Sequence, residues 1–210
     1  MYEIYSSPPL EYKAKSILHI VDTREIDQGF KDLVAKYPCE AHLIFKLGET
    51  HMSIHRFREF PCVMVHDTST PYRFWDLLKR SGFSELLKEV ALDKSKTYVG
   101  FGNGAALLQR QTTYFKGDLN ITATDLHTPQ IGVEPRRLLF HYRHAKENAL
   151  QIRQILDHSR QESIYCFPDG TGYISSTDTV IGEPYLVKAG KTYKIQNDTT
   201  LGPRLIAPVI

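Results

Sequence analysis

Short apolar runs rich in β-branched residues alternate along this chain with longer stretches whose apolar residues fall at helical spacing. That rhythm constrains the fold more than any motif, because near-continuous apolar strands separated by amphipathic helices are what a mostly parallel sheet covered on both faces requires. SILHIVDT (16–23) reads as a strand ended by Asp22 and Thr23. The next segment places Ile26, Phe30, Leu33, Val34 and Tyr37 on one helical face before Pro38 closes it. AHLIFKL (41–47), CVMVHDT (62–68), KTYVGF (96–101), LNITATDL (119–126) and ESIYCFPD (162–169) read as further strands, with LLFHY (138–142) as a short additional segment. Between them, Thr70 and Pro71 open a long helical pattern that Gly82 splits in two. GNGAALLQRQTTYF (102–115) and AKENALQIRQILDHS (145–159) are also expected to be helical. The first fourteen residues, with Pro8 beside Pro9, read as an irregular lead-in.

After Asp169 the chain turns rich in Gly, Thr and Tyr, which favours hairpins. The expected architecture is a three-layer α/β core over 1–170, α/β-hydrolase-like or Rossmann-like, with a β-rich C-terminal extension over 171–210 packed on it.

The class of partner follows partly from charge. Lys and Arg number 26 against 24 Asp and Glu, a formal charge of +2, which is too small to serve as a footprint for a nucleic-acid backbone. No run approaches the ~20 apolar residues that a membrane helix needs, and the start of the chain lacks a basic segment leading into an apolar one. Cys39, Cys62 and Cys166 are few and far apart, two of them inside apolar strands, so buried free thiols are expected. These features point to a cytoplasmic protein with a small-molecule ligand, no membrane or nucleic-acid partner, and a possible homo-oligomer.

The stretch Gly100-Phe101-Gly102-Asn103-Gly104 is the most informative, because an apolar strand there meets a tight glycine turn and a helix begins. Glycines allow backbone conformations closed to other residues and let a helix pack closely on its own strand. Three readings fit. The turn is a ligand-free connection; or it is a nucleotide or S-adenosylmethionine site, with Asp125 about 20 residues further on to hold ribose hydroxyls; or it is a nucleophile elbow, small-x-nucleophile-x-small, with Gly100 and Gly104 at the small positions. Against the second stand Tyr98, where a methyltransferase carries an acid, and the short stretch of chain that follows. On the third, the apex is Gly102, which has no nucleophile to offer.

From about Phe74 to Asp169 the chain resembles the α/β-hydrolase-like proteins found with capsular and surface-polysaccharide genes. The resemblance rests on the turn and its helix, on Thr128-Pro129-Gln130 after the next strand, and on the Pro-, Arg- and Phe-containing IGVEPRRLLFHYR. It implies a hydrolase-like fold, expected here to bind a sugar or acyl-type ligand without a cofactor, against S-adenosylmethionine on the second reading of the turn and a protein-interaction module as a third function; Gly102, and Thr128 in place of Ser, are the departures. The ligand edge then gathers His66, Asp67, residues 100–104, Asp125 and His127.

Other candidates read as structure. Asp169 stands where a triad acid belongs, yet no histidine follows it, so the order Ser, Asp, His is not completed and a turn role is expected. His51 and His55 lack a third metal ligand. Arg136, Arg137, His141, Arg143 and His144 read as a solvated basic face.

Overall fold

Sequence pattern becomes local structure through recognisable devices. In the computed structural model, which describes residues 1–9, 11–22, 26–48, 52–68, 71–110, 131–143, 163–188, 191–198 and 202–209, the side chain of Asp27 accepts the backbone N–H of Phe30 at 2.8 Å and starts helix α1 (Gln28–Lys36). Phe30 and Val34 then face inward. Gly82, at φ +76°, divides α3 (Pro71–Arg80) from α4 (Phe83–Leu92), a backbone conformation that side-chain-bearing residues rarely adopt. The expected strand 119–126 and helix 145–159 lie outside the described residues.

The strands form two sheets. The first contains β1 (Tyr2–Tyr5), β2 (Ser16–Asp22), β3 (Ala41–Leu47), β4 (Cys62–Val65), β5 (Thr97–Phe101), β8 (Gly172–Ile174) and β9 (Thr179–Ile181), in the order β3-β2-β4-β5-β1-β8-β9. Five of these are parallel neighbours, and β8 and β9 close one side antiparallel. The second sheet runs β12-β11-β10-β7-β6, from β6 (Leu138–Phe140), β7 (Ser163–Phe167), β10 (Tyr185–Lys188), β11 (Lys191–Asp198) and β12 (Gly202–Val209). Only β6 and β7 are parallel in it. The α/β fold with a mostly parallel sheet is therefore present, and the strands after residue 170 add to both sheets.

Two expectations are corrected. Of the helix expected over 102–115, only Asn103–Ala106 is helical among the described residues, because Gln109 leaves the helical path to bridge Glu134. Tyr2–Tyr5 is no lead-in but a sheet strand between β5 and β8, in parallel register Tyr5↔Phe101. Four residues carry too little periodicity to announce a strand, whereas two neighbours supply hydrogen bonds on both edges.

Helices cover both faces. Leu18, Ile20, Phe45, Val63, Val65 and Tyr98 face α3, α4 and the short α2 (Ile54–Arg58) through Phe74, Leu78, Phe83, Leu87 and Phe57. On the other face Val21 meets Phe30 and Val34 of α1. Each fully buried side chain of this kind stabilises the fold by roughly 1.5–3 kcal/mol, so the core holds the strand ends, and whatever they carry, in fixed register.

Candidate functional site

Strand register decides which side chains meet. Val65 of β4 pairs with Gly100 of β5, so two residues on, past the strand ends, Asp67 lies beside Gly102. Phe140 of β6 pairs with Phe167 of β7. His141 follows directly and Asp169 comes two residues after Phe167. The site is thus assembled at the carboxyl ends of parallel strands from both sheets, the edge where open α/β sheets bind ligands.

The glycine turn has elbow geometry. Gly102 adopts φ +49°, ψ −116°, between β5 and the short helix α5 (Asn103–Ala106). A Cβ on Gly104 would stand 2.3 Å from the Val65 carbonyl oxygen, and one on Gly100 would stand 2.6 Å from Ala105 Cα, so both small positions are sterically required. Tyr98 donates its hydroxyl to the Gly104 carbonyl at 2.7 Å, and the Gly102 N–H donates to Tyr5 at 2.9 Å. Phe101 is buried in the core.

At the apex the missing side chain is replaced from elsewhere. A Cβ on Gly102 would lie 2.5 Å from Asp67 Cγ, so the Asp67 carboxylate occupies the space into which an elbow nucleophile would project. Its Oδ1 accepts the N–H of Asn103 at 2.7 Å and that of Thr68 at 2.9 Å. Its Oδ2 is 2.9 Å from His141 Nε2, and His141 Nδ1 is 2.6 Å from Asp169 Oδ1. A carboxylate oxygen only accepts, so an imidazole that bridges two carboxylates satisfies both best when each of its nitrogens carries a proton. Burial works against that charge, but the hydrogen bonds and charges of Asp67 and Asp169 outweigh it and hold His141 above its ordinary pKa. The ring is 13% exposed, against 40% for Asp67 and 57% for Asp169, so both carboxylates reach solvent while the imidazole between them is largely covered.

The N-terminal strand completes the support. Ser6, fully buried, accepts the His141 N–H at 2.8 Å and approaches Asp169 Oδ1 at 3.4 Å. It thereby secures a histidine whose φ of +53° is left-handed, a conformation that costs about 1–3 kcal/mol unless its surroundings enforce it. Asn103 donates its side-chain amide to the Thr68 carbonyl at 2.7 Å, tying the two loops together.

Several expectations change. Asp169 has the expected turn role, with the Thr171 N–H donating to the Pro168 carbonyl at 3.1 Å, and in addition its carboxylate meets a histidine that precedes it in the chain. His141 belongs to the site and not to a solvated basic face. In that same stretch Arg137 is buried and Arg136 is paired with buried Glu134 at 2.6 Å. An apolar strand ending in histidine was the available signal for His141; Ser6 had none. Asp67, Gly102 and Asn103 come together as candidates. Asp125 and His127 lie outside the described residues, as does His51, while His55 sits on α2 on the surface.

His66 takes a different course from its neighbour Asp67. Its Nε2 is 2.9 Å from His19 Nδ1, and His19 Nε2 is 3.0 Å from His42 Nδ1, in a chain running from core to surface. Burial first, then the neighbouring histidine, depresses the pKa of His19 to about 3 and that of His66 well below 6.5. Below pH 6.5 the unfolded chain binds protons that these folded residues refuse, so stability should fall on acidification by up to about 1.4 kcal/mol per pH unit per histidine. His141 has the opposite sign: its contribution is complete below pH 6.5 and is lost as pH rises through its raised pKa. Urea denaturation between pH 5 and 9 should therefore show stability declining at both ends; a flat acid limb would contradict the depressed titration of His19 and His66.

No protein-family model matches the chain, and no curated protein matches it. Among solved structures it is similar to a protein assigned as a peptidase E from Listeria monocytogenes EGD-e, at 16% identity and a TM-score of 0.54, over 94% of this chain and 98% of that one. The two share a fold. Identity this low carries the architecture and nothing of the chemistry. No helix among the described residues is long and apolar enough to cross a membrane.

Proposed function

We propose that this chain is an α/β-hydrolase-like protein without serine-esterase activity, which binds a sugar or acyl-type ligand where Asp67, Gly102, His141 and Asp169 meet. One observation carries the reading: an elbow with both small positions sterically required has no hydroxyl at its apex, and a carboxylate stands there instead. His141 backed by Asp169 retains the form of a base and its orienting acid, but its other nitrogen meets the Asp67 carboxylate, which favours its protonated form, and it has no serine to activate. The likeness to a peptidase E fold supports a hydrolase-type scaffold. The resemblance to proteins encoded with surface-polysaccharide genes is the reason to include a sugar among the ligands.

The protein should resist labelling by a fluorophosphonate probe and leave short aryl esters intact. Robust labelling, traced to any serine by peptide mapping, would overturn the reading, because a nucleophile would then act outside the elbow.

A further inference from the structure

The groups around the Asp67 carboxylate form a receptor for a planar oxyanion, and the occupant is the protein's own side chain. Two backbone amides converge on one oxygen and an imidazole nitrogen meets the other. Such charge-assisted bonds to a carboxylate are short and strong compared with neutral ones. The missing Gly102 side chain makes the room. Asp67 lies on irregular backbone beyond β4 and is 40% exposed, so its side chain can turn outward without opening a hole in the core.

We propose that this cradle takes the carboxylate of a small ligand, with Asp67 as a built-in competitor that occupies it in the ligand's absence. The inference rests on the proposed ligand site and narrows its chemistry from sugar or acyl compounds in general to those bearing a carboxylate. A tethered carboxylate competes at an effective concentration in the millimolar range or above, so the unaltered protein binds weakly and a ligand needs additional contacts to displace Asp67.

Acetate and formate are the probes, with chloride at equal ionic strength as the control. In Asp67→Ala the cradle is empty, so acetate should raise the melting temperature and shift the Asn103 and Thr68 amide resonances, at least about tenfold more tightly than in the unaltered protein. Asp67→Asn keeps an acceptor on the amides and should not gain this response, and Asp67→Ala with His141→Gln should lose it. Glucuronate and a dipeptide with a free carboxyl end, each compared with its amide, then separate a sugar acid from a peptide terminus. No acetate-specific response in folded Asp67→Ala, or an equal one with His141→Gln added, overturns the cradle. Should Asp67→Ala not fold, formate titrated into the unaltered protein should still move the Asn103 and Thr68 amides beyond the chloride control, and failure there overturns it equally. Fluorophosphonate labelling decides the functional reading separately, so loss of the cradle leaves that reading standing.

Discussion

Asp67→Gly combined with Gly102→Ser should convert an unreactive protein into one labelled by fluorophosphonates. The backbone of residue 102 already has positive φ in a strand-to-helix turn, and small residues already flank it where a larger one would collide. A serine hydroxyl there would take the space of the Asp67 carboxylate, within reach of His141 Nε2 and of the Asn103 amide. With one of its two carboxylates gone, His141 loses part of what keeps it protonated and regains the capacity to accept a proton. A positioned general base contributes typically ~10²–10⁴-fold, and an oxyanion-binding amide ~10²–10³-fold. Aryl-ester turnover should therefore rise by about 10²–10⁴ over either single variant. Gly102→Ser alone should label poorly, because its Cβ would strike Asp67 and the displaced carboxylate would still contest His141 and the amides. If the folded double variant shows neither labelling nor turnover, the three residues do not form an elbow constellation.

Arg136→Ala should be among the most destabilising single changes. The Glu134 side chain is fully buried and Arg136 is 25% exposed. Glu134 Oε1 accepts the Arg136 N–H at 2.7 Å and Nε at 2.8 Å, while Oε2 accepts Nη2 at 2.6 Å and the Tyr2 hydroxyl at 2.9 Å. The guanidinium also lies 4.0 Å from the Tyr173 ring centroid and 5.4 Å from that of Tyr165. Arg136 joins β7, β8 and the loop leading to β6, and through Glu134 it is linked to Tyr2 of β1, so the pair spans both sheets. Removing it leaves a buried carboxylate without its cation, at a cost of about 3–5 kcal/mol. Arg136→Lys keeps the charge but not the fork and should fall between. Adding Glu134→Gln to Arg136→Ala should restore part of the loss, since the uncompensated charge is then gone. Urea denaturation of the four proteins reads this directly; a loss under about 1 kcal/mol for Arg136→Ala would place the pair with surface ion pairs.

Legibility differed from element to element. The apolar runs at 16–23, 62–68 and 96–101 announced buried parallel strands because both of their faces are apolar, the run at 41–47 announced a strand that the structure places at the sheet edge with only Phe45 and Leu47 buried, and Gly82 announced a helix break through its own conformational freedom. β1 stayed silent, since Tyr2–Tyr5 is a strand only because β5 and β8 flank it. In the candidate site, Gly100, Gly102 and Gly104 were readable from spacing as a tight strand-to-helix turn, with the elbow as one of three readings that the backbone of Gly102 and the crowding at Gly100 and Gly104 then separated. His141 and Asp169 were read apart because the order of triad members along a chain is a property of the topology that delivers them.

What the chain's own order of residues determined is the α/β alternation, the glycine turn and the absence of a hydroxyl at its apex, all of them local matters of backbone freedom and side-chain chemistry. What only the tertiary structure decided is the company kept by that apex. Asp67 reaches Gly102 because β4 and β5 pair Val65 with Gly100, and His141 reaches Asp169 because β6 and β7 pair Phe140 with Phe167. Register between strands dozens of residues apart is set by hydrogen-bond ladders and core packing, so no local pattern encodes it.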